Sequence, residues 1–515
     1  MFKMLLQHQG SPSNVHTMWT LHLLLYTLLF PLCSLCSQVC PEKCVCEQTG
    51  SVQCFRVQAL PSGIPRDVRK LNLGYNHIKE IKNRDLSSLL GLEEVILSSC
   101  GVEQLEGNAF RAQKVLKTLD LQKNKLRNVP RGLPSSLESL HLGHNRIHTL
   151  QESALQGLKK LRVLNLENNL ITTLRSSIFS ALTMLEGLYM EGNQIEAVQG
   201  ALRLPMLNRL SLANNKIPSL PSAFFSSLQL LKTLDLSSNF LTKVPHDLPQ
   251  PLLHLSLDRN HLRTLKSRDM AQLRDLVTLT ACHNRLVSVD GGLRLPNLTV
   301  LELAGNQLRV LPGRLSSKLE KLDCGQNHIQ EVTHQQLSGM RQLRHLFLEN
   351  NTIRHFESNA LRHCAHLTNL ALEQNLLSTF PNRLPETLIR LDLKGNRIIV
   401  IDEHELKSLK RLQVLNLRNN RLSTLPALRL LPNLKMLYVD GNPWNCSCEL
   451  FKVKRSLLAR DIDISSDFCS ETVQTSVDIW QAYVMTQEKC EETGESLPES
   501  QLEHTDNEDY YDYDL

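Results

Sequence analysis

The chain has 515 residues, 41% of them hydrophobic but only 5% aromatic, so its apolar content is mostly leucine. That composition argues for internal repetition and against an ordinary mixed core. The net charge of +5 is unevenly placed: from Glu488 onward stand 11 acidic residues and one lysine, leaving 56 basic and 41 acidic residues, or +15, on the rest. A basic body with an acidic end implies polyanionic partners, or attraction between body and tail.

Residues 1–37 are expected to be a signal peptide. The segment LHLLLYTLLFPL, Leu21 to Leu32, is an apolar run followed by small residues around Ser34 to Ser37. Met18 is an alternative start that gives a more usual signal length. The run is short for a membrane span, no other segment qualifies, and the acidic C-terminus lacks the hydrophobic tail of a lipid-anchor signal. A secreted protein with no membrane span is expected, and Cys33 and Cys36 leave with the signal.

Residues 38–64 read as a cysteine-rich cap, with Cys40, Cys44, Cys46 and Cys54 spaced C-x3-C-x-C-x7-C. Residues 65–443 then carry a repeat. LKTLDLQKNKL, Leu116 to Leu126, recurs as LRVLNLENNLI, LKTLDLSSNFL, LTVLELAGNQL and LQVLNLRNNRL. The pattern L-x-x-L-x-L-x-x-N-x-L is the leucine-rich repeat. Seventeen copies run from Asn76 to Asn442, with Cys100 in the second Asn position. Some spacings are short, as from Asn124 to Asn145, and others long, as from Asn145 to Asn169. Leucines alternating with polar residues make a strand with one buried face. A lone strand cannot bury them, so neighbouring repeats stack around a shared core. The Asn amide, both donor and acceptor, can pair backbone groups where the chain turns away. The predicted fold is a leucine-rich repeat solenoid. A curved parallel β-sheet forms its concave face, short turns or 3₁₀ segments form its convex face, and disulfide caps close both ends.

The second cap, residues 444–490, holds Cys446, Cys448, Cys469 and Cys490. Zinc is the competing use of such clusters, but an oxidising compartment favours disulfides, and each cap allows three pairings. Of the other cysteines, Cys324 replaces an inward leucine and is expected in the core. Cys364 falls in a convex turn, and Cys282 on the concave face. Cys100 can supply only a weak partner where asparagine normally stands. Residues 491–515 form an acidic tail with almost no apolar residues, expected to be disordered. Its last segment, TDNEDYYDYDL, sets Tyr510, Tyr511 and Tyr513 among carboxylates, which makes them candidates for sulfation in a secretory protein. Solubilisation is the plainer use of such a tail.

Three sequons occur, at Asn297, Asn350 and Asn445. Asn297 precedes a strand. Asn350 adjoins the ladder residue Asn351, and Asn445 a cysteine of the cap, so both are expected to be crowded. The repeat register points Tyr189, Glu191, Phe347, Glu349, Tyr438 and Asp440 to the concave face. Polar residues are expected on any sheet with one wet face, but aromatics among charges are better anchors than solvating groups. Basic residues cluster from Arg111 to Arg131 and again in FKVKRSLLAR of the second cap, where heparan-type polyanions could bind; scattered surface charge is the commoner origin of such clusters. No HExxH, GxSxG or phosphate loop is present, and HELKSLK at His404 lacks a second histidine. Neither an enzyme, a bound metal, a cofactor nor nucleic-acid binding is expected.

Short and long repeats in near-regular alternation behind a C-x3-C-x-C-x7-C cap resemble the small leucine-rich proteoglycans, from Cys40 to Cys490. The four-cysteine end cap departs from many of that family and resembles chondroadherin-type leucine-rich repeat proteins and adhesion receptors. The resemblance implies the pairs Cys40–Cys46, Cys44–Cys54, Cys446–Cys469 and Cys448–Cys490. It also implies an extracellular-matrix protein whose concave face binds collagens and growth factors of the transforming growth factor-β type, inhibiting their signalling, or dimerises. The end cap implies an adhesion or receptor-ligand role as the alternative. Ser62-Gly63 and Ser338-Gly339 lack the acidic neighbours that glycosaminoglycan attachment favours, so a glycoprotein rather than a proteoglycan is expected.

Overall fold

The computed structural model describes residues 40–290 and 293–465. Residues 1–37, expected to be a signal peptide, lie outside the described residues, as do Cys469, Cys490 and the acidic tail with its three candidate tyrosines. The chain divides into two compact units, residues 1–240 and 241–515, each built on the same plan.

In the first unit eight repeat strands, from Lys70–Asn72 to Thr233–Asp235, each pair in parallel with the next. Their central residues stand in register as Leu71, Val95, Leu119, Leu140, Leu164, Leu188, Leu210 and Leu234. In the second unit nine strands from His254–Ser256 to Met436–Tyr438 do the same, with leucine at every centre from Leu255 to Leu437. These seventeen central side chains are at most 1% exposed, while most of their neighbours along the strands are half-buried or exposed. The result is the leucine-rich repeat solenoid, its core a stack of leucines shared between successive coils.

The strand ends at a left-handed residue. The position before each of the seventeen Asn sites has φ between 50° and 69°. Only four of these are glycine, at 192, 305, 395 and 441; the rest include Tyr75 and Arg259, which bear the steric cost of that region. The turn then places the Asn side chain inside. Asn215 is representative: its Nδ2 donates to the carbonyls of Met190 at 3.0 Å and Leu212 at 3.1 Å, and its Oδ1 accepts from the Ile195 amide at 2.9 Å. One amide thus pairs backbone groups of two successive repeats that no strand or helix would satisfy. Cys100 imitates half of this. Its thiol donates to the Leu73 carbonyl at 2.9 Å, but the Ile78 amide, which an asparagine there would receive, finds no partner among the described residues.

Outside the sheet the repeats make short helical turns, at Glu152–Leu155, Ser176–Phe179, Ser267–Asp269, His334–Leu337 and Glu403–Leu406. Among the described residues they also make something not expected from the sequence, four two-stranded parallel ladders. These pair Glu80–Ile81 with Gln104–Leu105, Thr173–Arg175 with Ala197–Gln199, Thr264–Leu265 with Ser288–Val289, and Glu331–Val332 with His355–Phe356. Each joins two repeats at the longest spacing in the array: Asn76 to Cys100, Asn169 to Asn193, Asn260 to Asn284 and Asn327 to Asn351. That spacing leaves chain enough for a second extended stretch.

At the N-terminal end Cys44–Cys46 and Ser51–Cys54 form an antiparallel hairpin whose second strand starts the parallel sheet. Disulfides Cys40–Cys46 and Cys44–Cys54 pin it. At the other end the helix Cys448–Leu458 buries Leu450 and Leu457, and Asp463–Ile464 adds a last parallel strand beside Met436–Tyr438. The Arg460 guanidinium ties this cap to the carbonyls of Leu428 and Leu431. Cys446 and Cys448 are both disulfide-bonded. Cys100, Cys324 and Cys364 are buried free thiols and Cys282 is half-buried. Burial pushes the Cys364 thiol up to about 12 and raises Cys282 and Cys324 as well, so none is a reactive thiolate.

Replacing Asn215 with alanine should cost about 3 kcal/mol in chemical denaturation, because it orphans several buried backbone groups at once. Cys100→Asn should act in the opposite direction, adding about 1 kcal/mol by giving the Ile78 amide an acceptor. Loss of stability in Cys100→Asn would show that the thiol is instead kept for packing.

Candidate functional site

The solvent face of the sheet is written at the first and third residues of each strand and at the residue two further on. Parallel register sets the same position of successive repeats about 4.8 Å apart. Side chains a whole repeat apart in sequence therefore become neighbours.

In the second unit this brings together four carboxylates. Asp323, Glu349, Glu373 and Asp392 come from four consecutive repeats, beginning at the strands Lys321–Asp323, His345–Phe347, Asn369–Ala371 and Arg390–Asp392. Glu349 folds back over Gly325, where any Cβ would collide with its carboxylate. Glu349 and Glu373 each keep one buried oxygen with no hydrogen-bond partner. Asp392 is better served, accepting from the Lys394 amide at 3.0 Å and from Asn416 Nδ2 at 2.9 Å. Burial, reinforced by the neighbouring Asp323, pushes Glu349 up to about 7. Burial and the neighbouring Asp392 push Glu373 up to about 8. Asp323 and Asp392 are also raised, by burial first. Like charges removed from water disfavour ionisation together.

Two aromatic anchors share this face, Phe347 on the second of these strands and Tyr438 two strands beyond the last. Phe347 stacks on the His345 ring, 6.2 Å between centroids, with the Lys321 ammonium 5.5 Å from its centroid. Lys321 is itself held by Glu302 at 2.9 Å. Burial lowers the His345 pKa, followed by the charge of Lys321, so the stacked imidazole is neutral at physiological pH. Tyr438 carries the Arg418 guanidinium over its face at 4.5 Å, and Arg418 Nε donates to Asp440 Oδ2 at 2.6 Å. Both arrangements are cation–π contacts that orient a half-exposed ring. Phe347 and Tyr438 are four strands apart, about 19 Å, so they form two separate anchors. Tyr189 lies in the first unit, its ring against Gly187, with Glu191 raised by burial and one of its oxygens unpaired.

The sequons differ from expectation. Asn297, a plausible acceptor by its place before a strand, has its amide engaged: Nδ2 donates to the Arg274 carbonyl at 3.1 Å and Oδ1 accepts from Lys318 at 2.7 Å. Asn350 and Asn445, expected to be crowded, are exposed. The left-handed φ of 52° at Asn350 turns its side chain away from the ladder that Asn351 enters.

The basic clusters divide as well. Lys117 is committed to Glu93 at 2.8 Å and Lys452 to Glu449 at 3.3 Å, and burial lowers Lys454. Lys125, Arg127 and Arg131 instead line a cleft of about 740 Å³ together with Arg146. Arg146 lies outside the run that the sequence singles out.

The raised values of Glu349 and Glu373 make stability pH-dependent. Their folded-state pKa values exceed the unfolded one, so the folded state is favoured where they are protonated. That contribution is lost as pH rises through about 7 and 8. Glu373→Gln should therefore raise stability by about 1–2 kcal/mol at pH 9 and change it little at pH 4, after allowance for solvent screening. An equal effect at both pH values in denaturant titrations would exclude ionisation as the cause.

A family model described as leucine rich repeat matches residues 135–195, 205–250, 317–377 and 386–443. Nephrocan of Mus musculus is 45% identical over 479 residues, covering 93% of both chains. Podocan-like protein 1 of the same species is 32% identical over 407 residues, covering 77% of this chain and 65% of that one. Among solved structures, the glycosylated Toll–Spatzle complex of Drosophila matches with a TM-score of 0.67 at 22% identity, over 78% of this chain and 58% of that one. YopM from Yersinia enterocolitica matches with a TM-score of 0.60 at 24% identity, over 76% and 78%. The solved structures share the coil, while the sequence relatives match along most of the chain, and the chain belongs to the small leucine-rich proteoglycan family.

Proposed function

We propose that the chain is a secreted extracellular-matrix glycoprotein that binds proteins with the solvent face of its sheet. In this reading the ligands are collagens or growth factors of the transforming growth factor-β type, held away from their receptors, and no catalysis is involved. One observation carries the proposal: Phe347 and Tyr438 stand half-exposed on that face, each oriented by a cation and each beside carboxylates. Solvation alone does not call for rings there, whereas interface energy concentrates in a few such anchors. The same reading takes residues 1–37 as the signal peptide, residues 444–490 as a second disulfide cap, and Asn297, Asn350 and Asn445 as glycan acceptors. The tail tyrosines Tyr510, Tyr511 and Tyr513 are sulfate acceptors. Heparan-type polyanions meet the basic residues of the body, and a second copy of the chain competes for the sheet face.

Fibrillar collagen and growth factor, immobilised separately, are the test ligands for the purified full-length protein. Phe347→Ala and Tyr438→Ala should each weaken binding about tenfold, the loss of one anchor. Binding to neither ligand would sink the matrix reading. Cell attachment in their absence would favour an adhesion or receptor-ligand role instead, which the four-cysteine end cap suggests.

A further inference from the structure

The cleft at Lys125 arises from a change of repeat length. The ladder that pairs Glu80–Ile81 with Gln104–Leu105 stops there. The next two Asn positions, Asn124 and Asn145, stand at the short spacing, and the intervening chain runs through Pro130 and Pro134. Proline has no amide to donate, so no third strand forms. The open edge of Gln104–Leu105 becomes one wall of a cleft of about 740 Å³ and residues 127–131 another, while Arg146 and Gln151 complete the lining. Gly132, at φ 66°, lets this loop come so close to the Gly107 carbonyl that any Cβ there would collide with it.

Four cations enter the cleft against a single carboxylate. Glu103 is neutralised by Lys125 at 2.9 Å, and Arg131 donates to Gln151 Oε1 at 2.8 Å. Arg127 and Arg146 are exposed and have no ion pair or side-chain hydrogen bond to any described residue. Neither guanidinium is tied down by a hydrogen bond, although the charge of Arg146 is felt by Glu103, and two such forks in one recess suit tetrahedral oxyanions, which they can bind bidentately. The volume is that of a ligand site, about 300–1,000 Å³. Its lining residues lie outside the strands of the main sheet.

We propose that this cleft binds the sulfate groups of a linear sulfated glycosaminoglycan, with Arg127 and Arg146 as the principal contacts. The proposal rests on the reading that the body meets polyanions and places that contact at one site. The control lies in the second unit. Arg263 and Arg285 occupy the same two register positions, three residues after Asn260 and one after Asn284. There the ladder Thr264–Leu265 with Ser288–Val289 fills the space between the repeats.

Equilibrium binding of a size-defined heparin octasaccharide to the full-length chain tests the site, with a hyaluronan fragment of equal length as the carboxylate-only polyanion. Arg127→Ala/Arg146→Ala should weaken octasaccharide binding at least about tenfold and flatten its salt dependence, with the thermal unfolding midpoint unchanged. Arg263→Ala/Arg285→Ala should leave binding as it was, and hyaluronan should bind more weakly than heparin. Equal losses in the two double variants would overturn the cleft in favour of diffuse charge. So would a loss that instead follows Arg274→Ala/Arg294→Ala, in a second arginine-lined recess of about 510 Å³. No binding of heparin by the unaltered chain would remove the polyanion reading altogether, a failure distinct from that of the cleft.

Discussion

The molecule depends on one buried amide repeated along the chain. A strand that turns away from its sheet abandons backbone donors and acceptors in the interior, and leaving them unpaired costs more than any single leucine contact restores. The asparagine column satisfies them, and it does so between coils: Asn124 gives its Nδ2 to the carbonyls of Leu97 and Leu121 and takes the amide of Val102 on its Oδ1. Each coil is thus completed by the next. That is why the ends need caps, and why the N-terminal hairpin with its two disulfides stands ahead of the first repeat.

Because the interior is settled by leucine and asparagine, the outward positions are free of structural duty and can differ from repeat to repeat. The sheet turns that freedom into chemistry by proximity. Asp323, Glu349, Glu373 and Asp392 repel one another only because parallel register stacks their repeats, and Gly325 gives Glu349 room to lie down. The same register lets Lys321 serve both Glu302 and the ring of Phe347. The face therefore combines oriented rings with carboxylates whose charge changes with pH near neutrality.

Repeat length is a second variable, independent of the leucine pattern. At the longer spacing, as from Asn169 to Asn193, a coil has chain enough for a second extended segment, and some of these segments pair. The shorter coil from Asn124 to Asn145 does not, and the edge left open at Gln104–Leu105 becomes a recess rather than a continuation. Sheet face and flank are thereby separable surfaces, one shaped by side chains and the other by the spacing between them.

Periodicity alone was enough to read the coil, the seventeen turn positions and the inward leucines, because each is a local requirement repeated with the same spacing. It also exposed Cys100 as the one departure from the asparagine column. What it could not reveal is anything that depends on which coils are adjacent and how closely they pack. Asn350 beside a buried asparagine looked crowded, yet a left-handed backbone turns it outward, while the neighbours of Asn297 from adjoining repeats occupy its amide. Phe347 and Tyr438 read as one set and stand as two. Arg146 falls well beyond Arg131, where the basic run ends in the sequence, but one coil of the solenoid brings it into the same cleft. Sequence determined the repeating backbone because hydrophobic period and hydrogen-bond satisfaction are local; the sites were decided by tertiary structure because charge, burial and access are properties of neighbouring coils.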